Sequence, residues 1–141
     1  MYAMLSTRPD VVLEISLTNH FQSNPGKEHW SAVKNILKYL RRTKDMFLVY
    51  RGCEEELAVK GYVDASLGTD LDDSKSQTGY VFMLNGGAIS WRSDKQSVVA
   101  QSSMESEYIS ACEASNEAHW LKKFVIELDV FPSCTYLVSI Q

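Results

Sequence analysis

The stretch LAVKGYVDAS, residues 57–66, is where this chain changes its period. Leu57, Val59, Gly61 and Val63 alternate with Ala58, Lys60, Tyr62 and Asp64, which predicts a strand with one apolar face. Asp64 stands at its end. Downstream, GTDLDDSKSQT (68–78) is a turn-rich polar connection, and TGYVFMLNGGAISWRS (78–93) reads as two short strands around Asn85-Gly86-Gly87, a strong hairpin signal. After the polar SDKQSVVAQSS (93–103) comes a long helical segment, Ser103 to Leu128. Three antiparallel strands followed by a helix predict an α+β fold.

In that helix Glu107, Ala111, Ala114, Ala118, Leu121, Val125 and Leu128 recur at alternating spacings of four and three, the pattern of a packed face. Its small residues would let the helix lie close to a sheet, and its first member is a carboxylate where an apolar residue is expected. Glu105 lies about 200° away around the helix, so the stripe selects Glu107 and leaves Glu105 as a first-turn dipole residue. Asp64 and Glu107 are then candidates for one site at the edge of a helix–sheet interface. Two close carboxylates repel unless a cation lies between them, and hard divalent ions prefer such oxygen ligands. A pair of Mg²⁺ ions held this way can cleave phosphodiesters. Spacing alone leaves the bland alternative open, with Asp64 turning into a loop and Glu107 partly solvated.

Upstream, Pro9 and Asp10 in TRPDVVLEISLTNHFQ predict a helix over Pro9 to Phe21. A second helix should open near SNPGKEHW, capped by Asn24 and begun by Pro25. Its apolar face would be Trp30, Val33, Ile36, Leu37 and Leu40, and Lys34, Lys38 and Arg41 form a stripe on the other side. Such a stripe suits a nucleic-acid backbone, although many amphipathic helices carry Lys and Arg on the solvent side.

The whole chain has 141 residues, 45% of them apolar, with 7 Gly and 3 Pro, which excludes disordered and collagenous classes. Residues 1–60 carry 9 Lys+Arg and 7 Asp+Glu, whereas residues 61–141 carry 5 and 11. A mildly basic helical half thus precedes an acidic half, an arrangement that can pair a phosphate-contacting surface with a cation-binding one. No apolar run has the length of a membrane span or signal peptide, so no membrane partner is expected and the chain reads as intracellular, cytoplasmic or nuclear. Cys53, Cys112 and Cys134 show no CxxC spacing and read as buried or neutral thiols, and His20, His29 and His119 are equally scattered. No zinc-type cluster is expected.

The strings MYAMLSTRPD, NPGKEHWSAVKNILKYLRRTKDMFLVY, GYVDAS, DDSKSQTGYVF, AISWRSDKQSVVAQSSMESEY and EAHWLKKFVIEL resemble, in that order, the C-terminal part of the Pol polyprotein of copia-type LTR retrotransposons. The resemblance implies that residues 1–50 are the helical end of a reverse transcriptase region. It implies that residues 54–141 are a ribonuclease H-like domain, incomplete, with three antiparallel strands, a long helix and CTYLVSIQ apolar enough for a fourth strand. That family cuts the RNA of an RNA–DNA hybrid with a cluster of acids and two Mg²⁺ ions. Asp64 in GYVDAS and Glu107 in ESEY match the first two acids, as catalytic residues and metal ligands. Asp70, Asp72 and Asp73 look structural, with Ser76, Thr78 and Tyr80 supporting that turn and the second strand.

The family's third acid follows in a Cys-Asp-Asn motif, and PSCTYLVSIQ brings no carboxylate after Asp129. Asp129 matches a turn position. Little or no hydrolysis by this chain alone is therefore expected, nor polymerase activity, because the polymerase aspartates would lie upstream of Met1. Competing expectations are a binding module and an unselected transposon relic. In the binding module Lys34, Lys38, Arg41 and Arg42, with Arg92 and Lys95, contact the phosphates of a hybrid or other nucleic acid, and Trp91 stacks or serves the core. The remainder of the Pol polyprotein is the expected protein partner.

Overall fold

The computed structural model describes residues 2–50, 59–68, 70, 73–128 and 138–140. The chain divides into two compact units, Met1–Leu48 and Val49–Gln141.

In the first unit, α1 (Tyr2–Ser6) leads through a 3₁₀ turn, Pro9–Val11, into α2 (Val12–Asn19), and α3 spans Lys27–Arg42. The helix predicted from Pro9 thus begins with a 3₁₀ turn and ends at Asn19. Pro9 fixes the first turn because its missing N–H is not needed there. The second helix starts later than predicted: Gly26, with extended backbone, caps it and Lys27 is its first residue. The Gly26 N–H donates to His29 Nδ1 at 2.9 Å, and the His29 ring stacks on Phe21 at 4.1 Å. The N-cap is thus Gly26 and not Asn24, and the His29 imidazole satisfies the N–H of that cap residue.

The inward face of α3 is also rotated from the predicted one. Val33, Ile36 and Leu40 are half-buried together with His29 and Ala32, whereas Trp30 and Leu37 are more than half exposed. Polar bonds from Arg8 join this packing. Its guanidinium makes two bonds to the Asp10 carboxylate, at 2.9 and 2.7 Å, and reaches Thr43 Oγ1 at 2.6 Å and Thr43 O at 3.2 Å. The Tyr39 hydroxyl donates to the same carboxylate at 2.7 Å. One arginine thus ties the start of the unit to the end of α3.

In the second unit, β1 (Val59–Ser66), β2 (Gln77–Leu84) and β3 (Gly87–Lys95) form an antiparallel meander. The alternation of β1 is as read from the sequence: Val59 and Gly61 are buried and Val63 half-buried, while Lys60, Tyr62 and Asp64 are exposed. The two strands after it are longer than predicted and include polar ends. Asn85 (φ 50°) and Gly86 (φ 78°) make the two-residue turn, left-handed at both positions as the strand twist requires. A register shift between Phe82 and Met83 marks a bulge in the β2–β3 ladder.

Helix α4 (Ser103–Glu127) follows, and β4 (Val138–Ile140) pairs parallel to β1, giving the sheet order β3-β2-β1-β4. A parallel neighbour needs a crossover, and α4 lies in that connection. The core joins Val59, Phe82, Ala114, Ala118 and Leu121, so α4 covers the face that Val59, Gly61 and Val63 share. Residues 51–58 and 129–137, with Cys53, Leu57, Ala58, Asp129 and Cys134, lie outside the described residues, as does Asp72. Cys112, read as buried or neutral, is an exposed free thiol, because its position on α4 faces away from the sheet.

Two outcomes follow. A Cβ at Gly61 would lie 2.5 Å from the fully buried Phe82 ring, so Gly61→Ala should cost about 1–3 kcal/mol in urea unfolding. In the first unit the Arg8 bonds hold the Asp10 carboxyl down at about 2. A depressed folded value gives stability that is complete above the ordinary value near 3.8 and is lost as pH falls toward 2. Acid titration followed by circular dichroism should show that loss, and Asp10→Asn should be less stable near neutrality and lack the dependence.

Candidate functional site

The front of α4 is built for a fixed start. Ser102 Oγ accepts the Glu105 N–H at 3.2 Å, and Glu105 Oε2 accepts the Gln101 N–H at 2.7 Å. Glu105 is therefore spent on the helix entry.

The packed stripe differs from the predicted one over the first two turns and at its end, where Leu128 is the exposed C-cap. Ala114, Ala118 and Leu121 are buried as read, but ahead of them the buried residues are Ser106 and Ser110, and Glu107 is exposed. A carboxylate against the sheet would lose its hydration without a cation partner, whereas hydroxyls find partners there. Thr78 Oγ1 and Ser110 Oγ share a bond of 2.9 Å, and the Gln96 amide donates to Thr78 Oγ1 at 3.0 Å and to Ser106 O at 3.0 Å. Periodicity counted apolar residues only and could not find these serines. The signal available was SSMESEYIS, where hydroxyl residues recur through the first turns.

Asp64 and Glu107 are placed at the same end of the helix–sheet layer. Thr78 is the β2 partner of Ala65, next to Asp64, and it bonds Ser110, one turn after Glu107. Both carboxylates are exposed. Asp64 lies on the alternate set of β1, with Lys60 and Tyr62, so its side chain leaves the strand on the face opposite the one that α4 covers. Mg²⁺ favours oxygen ligands, and two carboxylates suit that preference, but a two-ion centre needs more. Among the described residues no group of three or more His, Cys, Asp or Glu side chains could hold a metal ion. The described residues by themselves do not make the two-ion arrangement, and no step is drawn through it.

The basic candidates separate into two sets. Lys34, Lys38, Arg41 and Arg42 are exposed on α3, and among the described residues none is ion-paired. Lys95 and Arg92 are engaged. Lys95 Nζ sits 2.7 Å from Asp70 Oδ2 and 3.1 Å from Asp73 Oδ2, and Arg92 pairs with Asp94. The Lys95 ammonium is held above its ordinary value chiefly by its bond to Asp70, then by Asp73. Asp73 also accepts the Lys75 N–H, Ser74 takes a left-handed φ of 56°, and Ser76 Oγ accepts the Gly68 N–H at 3.1 Å. Lys95 thus fastens the β1–β2 connection, which is why Asp70 and Asp73 look structural. Trp91 is half-buried in β3.

Tyr80 faces α4, where burial and then the nearby Glu117 push its hydroxyl pKa up, and Ser90 Oγ donates to Glu117 at 2.6 Å. Within the first unit a cleft of about 640 Å³ runs between α2 and α3, lined by Val11, Leu17, Ala32, Ile36 and Tyr39 with Asp10 and Glu14. None of the sequence-derived site residues lines it. No helix among the described residues is long and apolar enough to cross a membrane.

No family model matches the chain, and no solved structure matches it. It is 51% identical over 128 residues to the retrovirus-related Pol polyprotein from transposon TNT 1-94 of Nicotiana tabacum, covering 91% of this chain and 10% of that protein. It is 35% identical over 124 residues to the retrovirus-related Pol polyprotein from transposon RE2 of Arabidopsis thaliana, covering 88% of this chain and 8% of that one. The chain therefore spans about a tenth or less of these polyproteins. A relative of its own size is secreted RxLR effector protein 161 of Plasmopara viticola, 43% identical over 121 residues, which cover 86% of this chain and 84% of the effector. With most of that relative's length matched at this identity, the chain belongs to the sequence family that joins a segment of transposon-borne, retrovirus-related Pol polyproteins with this effector.

Proposed function

We propose that this chain is a ribonuclease H-like segment of a retrotransposon Pol polyprotein, with the end of a reverse transcriptase region before it. In this reading it contacts nucleic-acid phosphates and does not cleave an RNA–DNA hybrid by itself. The observation that carries the reading is the sheet order β3-β2-β1-β4, with β4 parallel to the strand that bears Asp64 and α4, which bears Glu107, packed on the sheet. Similarity to the TNT 1-94 and RE2 polyproteins over most of the chain supports the polyprotein origin.

In this role Asp64 and Glu107 are two acids of a larger set. Only the larger set would hold Mg²⁺ ions able to supply an activated water and a clamp on the leaving oxygen, and the described acids alone do not make it. The acids of the second unit repel phosphate, so binding falls to α3, where Lys34, Lys38, Arg41 and Arg42 are unpaired among the described residues. Arg92 and Lys95, engaged with Asp94, Asp70 and Asp73, contribute little.

The test uses the purified chain and an end-labelled RNA–DNA hybrid. With Mg²⁺ or Mn²⁺ the hybrid should stay intact, and cleavage abolished by Asp64→Asn or Glu107→Gln would overturn the claim of inactivity. Binding measured by anisotropy should weaken with salt, and the pair Lys34→Gln with Lys38→Gln should reduce the log–log slope by about 2, near 0.9 for each phosphate left without its cation. Absence of binding at low salt would overturn the nucleic-acid role.

A further inference from the structure

Gln96 follows the last residue of β3 and is 1% exposed. Its backbone N–H donates to Ser76 O at 2.8 Å, which fixes it beside the entry to β2. Its side-chain Nε2 lies 3.0 Å from Thr78 Oγ1, 3.0 Å from Ser106 O, and 3.3 Å from the hydroxyls of Ser106 and Ser110. The Ser106 carbonyl only accepts, so it determines which end of the amide is the nitrogen. One side chain thus connects β2 to both of the first two turns of α4.

These bonds do something the apolar packing of α4 does not. Ala114, Ala118 and Leu121 set how closely the helix lies, but attraction between small apolar groups is non-directional. Hydrogen bonds to the Ser106 backbone and the Ser110 hydroxyl fix rotation and axial register. Rotation by one position, about 100°, would carry Glu107 around the helix. On the strand side the same bonds reach Thr78, whose β1 partner Ala65 adjoins Asp64. Stability alone does not explain the choice of glutamine, because its buried Oε1 has no hydrogen-bond partner among the described residues and an unmade buried bond is a cost.

We infer that Gln96 is a positioning residue, clamping the first two turns of α4 to β2 and so holding Glu107 at a set distance from Asp64. This rests on the reading of those two carboxylates as members of one site.

Nitroxide labels at Asp64→Cys and Glu107→Cys, in a chain whose Cys53, Cys112 and Cys134 are serine, report the separation by double electron–electron resonance. With Gln96 present the distribution should be narrow. Gln96→Met, of similar volume, should broaden it about twofold and speed amide exchange about tenfold at residues 105–110, leaving Ala114 to Leu121 unchanged. Thr78→Val should act in the same direction through a milder change and serves if Gln96→Met does not fold. Thr78→Ser, which keeps the hydroxyl, should restore both signals. An unchanged distribution in Gln96→Met, or exchange accelerated equally along all of α4, would overturn the clamp. A separation near 30 Å with Gln96 intact, about the length of a 20-residue helix, would overturn the pairing of Asp64 with Glu107 and the positioning role with it.

Discussion

The second unit depends on how a long helix is seated on a small sheet. Four apolar residues of the core come from β1, β2 and two turns of α4, with Leu121 one turn further on. Ahead of them the interface is polar: Ser76, Ser106 and Ser110 are fully buried, and Thr78 and Gln96 nearly so. Buried hydroxyls and amides are costly when unpaired and directional when paired. Their bonds therefore fix the rotation and register of the first turns of α4, and with them where Glu107 stands relative to the strand end, while Glu105 is engaged locally by the cap at Ser102 and Gln101.

Such an interface separates two kinds of residue that sequence patterns treat alike. Glu105 and Glu107 are two positions apart and both exposed, yet Glu105 accepts the backbone N–H of Gln101 while Glu107 takes no part in the cap. Lys95 and Lys38 carry the same charge, yet one closes a loop over Asp70 and Asp73 while the other remains on the outer side of α3. Charge and spacing name candidates, and partners decide which of them are available to a ligand.

The strand alternation of β1, the Asn85-Gly86 turn and the extent of α4 were legible because each rests on a local rule: side-chain period, left-handed turn residues and capping. The front of the α4 stripe was not legible, since a serine is buried only if Thr78 and Gln96 come from elsewhere to meet it. The start of α3 differs for a similar reason, because the cap at Gly26 is met by His29, whose ring also stacks on Phe21 from outside the helix. Asp64 and Glu107 were identified as candidates from their places at a strand end and a helix start. That one end of the layer holds both follows from the register of β1 with β2 and the Thr78–Ser110 bond.

The most direct measurement of this account is the side-chain amide of Gln96 in a nuclear magnetic resonance spectrum of the intact chain. Buried donation to Thr78 and to the Ser106 carbonyl predicts Nε2 protons that exchange slowly with water and show cross-relaxation to protons of Thr78 and Ser110. Rapid exchange with water and no such cross-peaks would contradict the seating of α4 on which the site geometry rests.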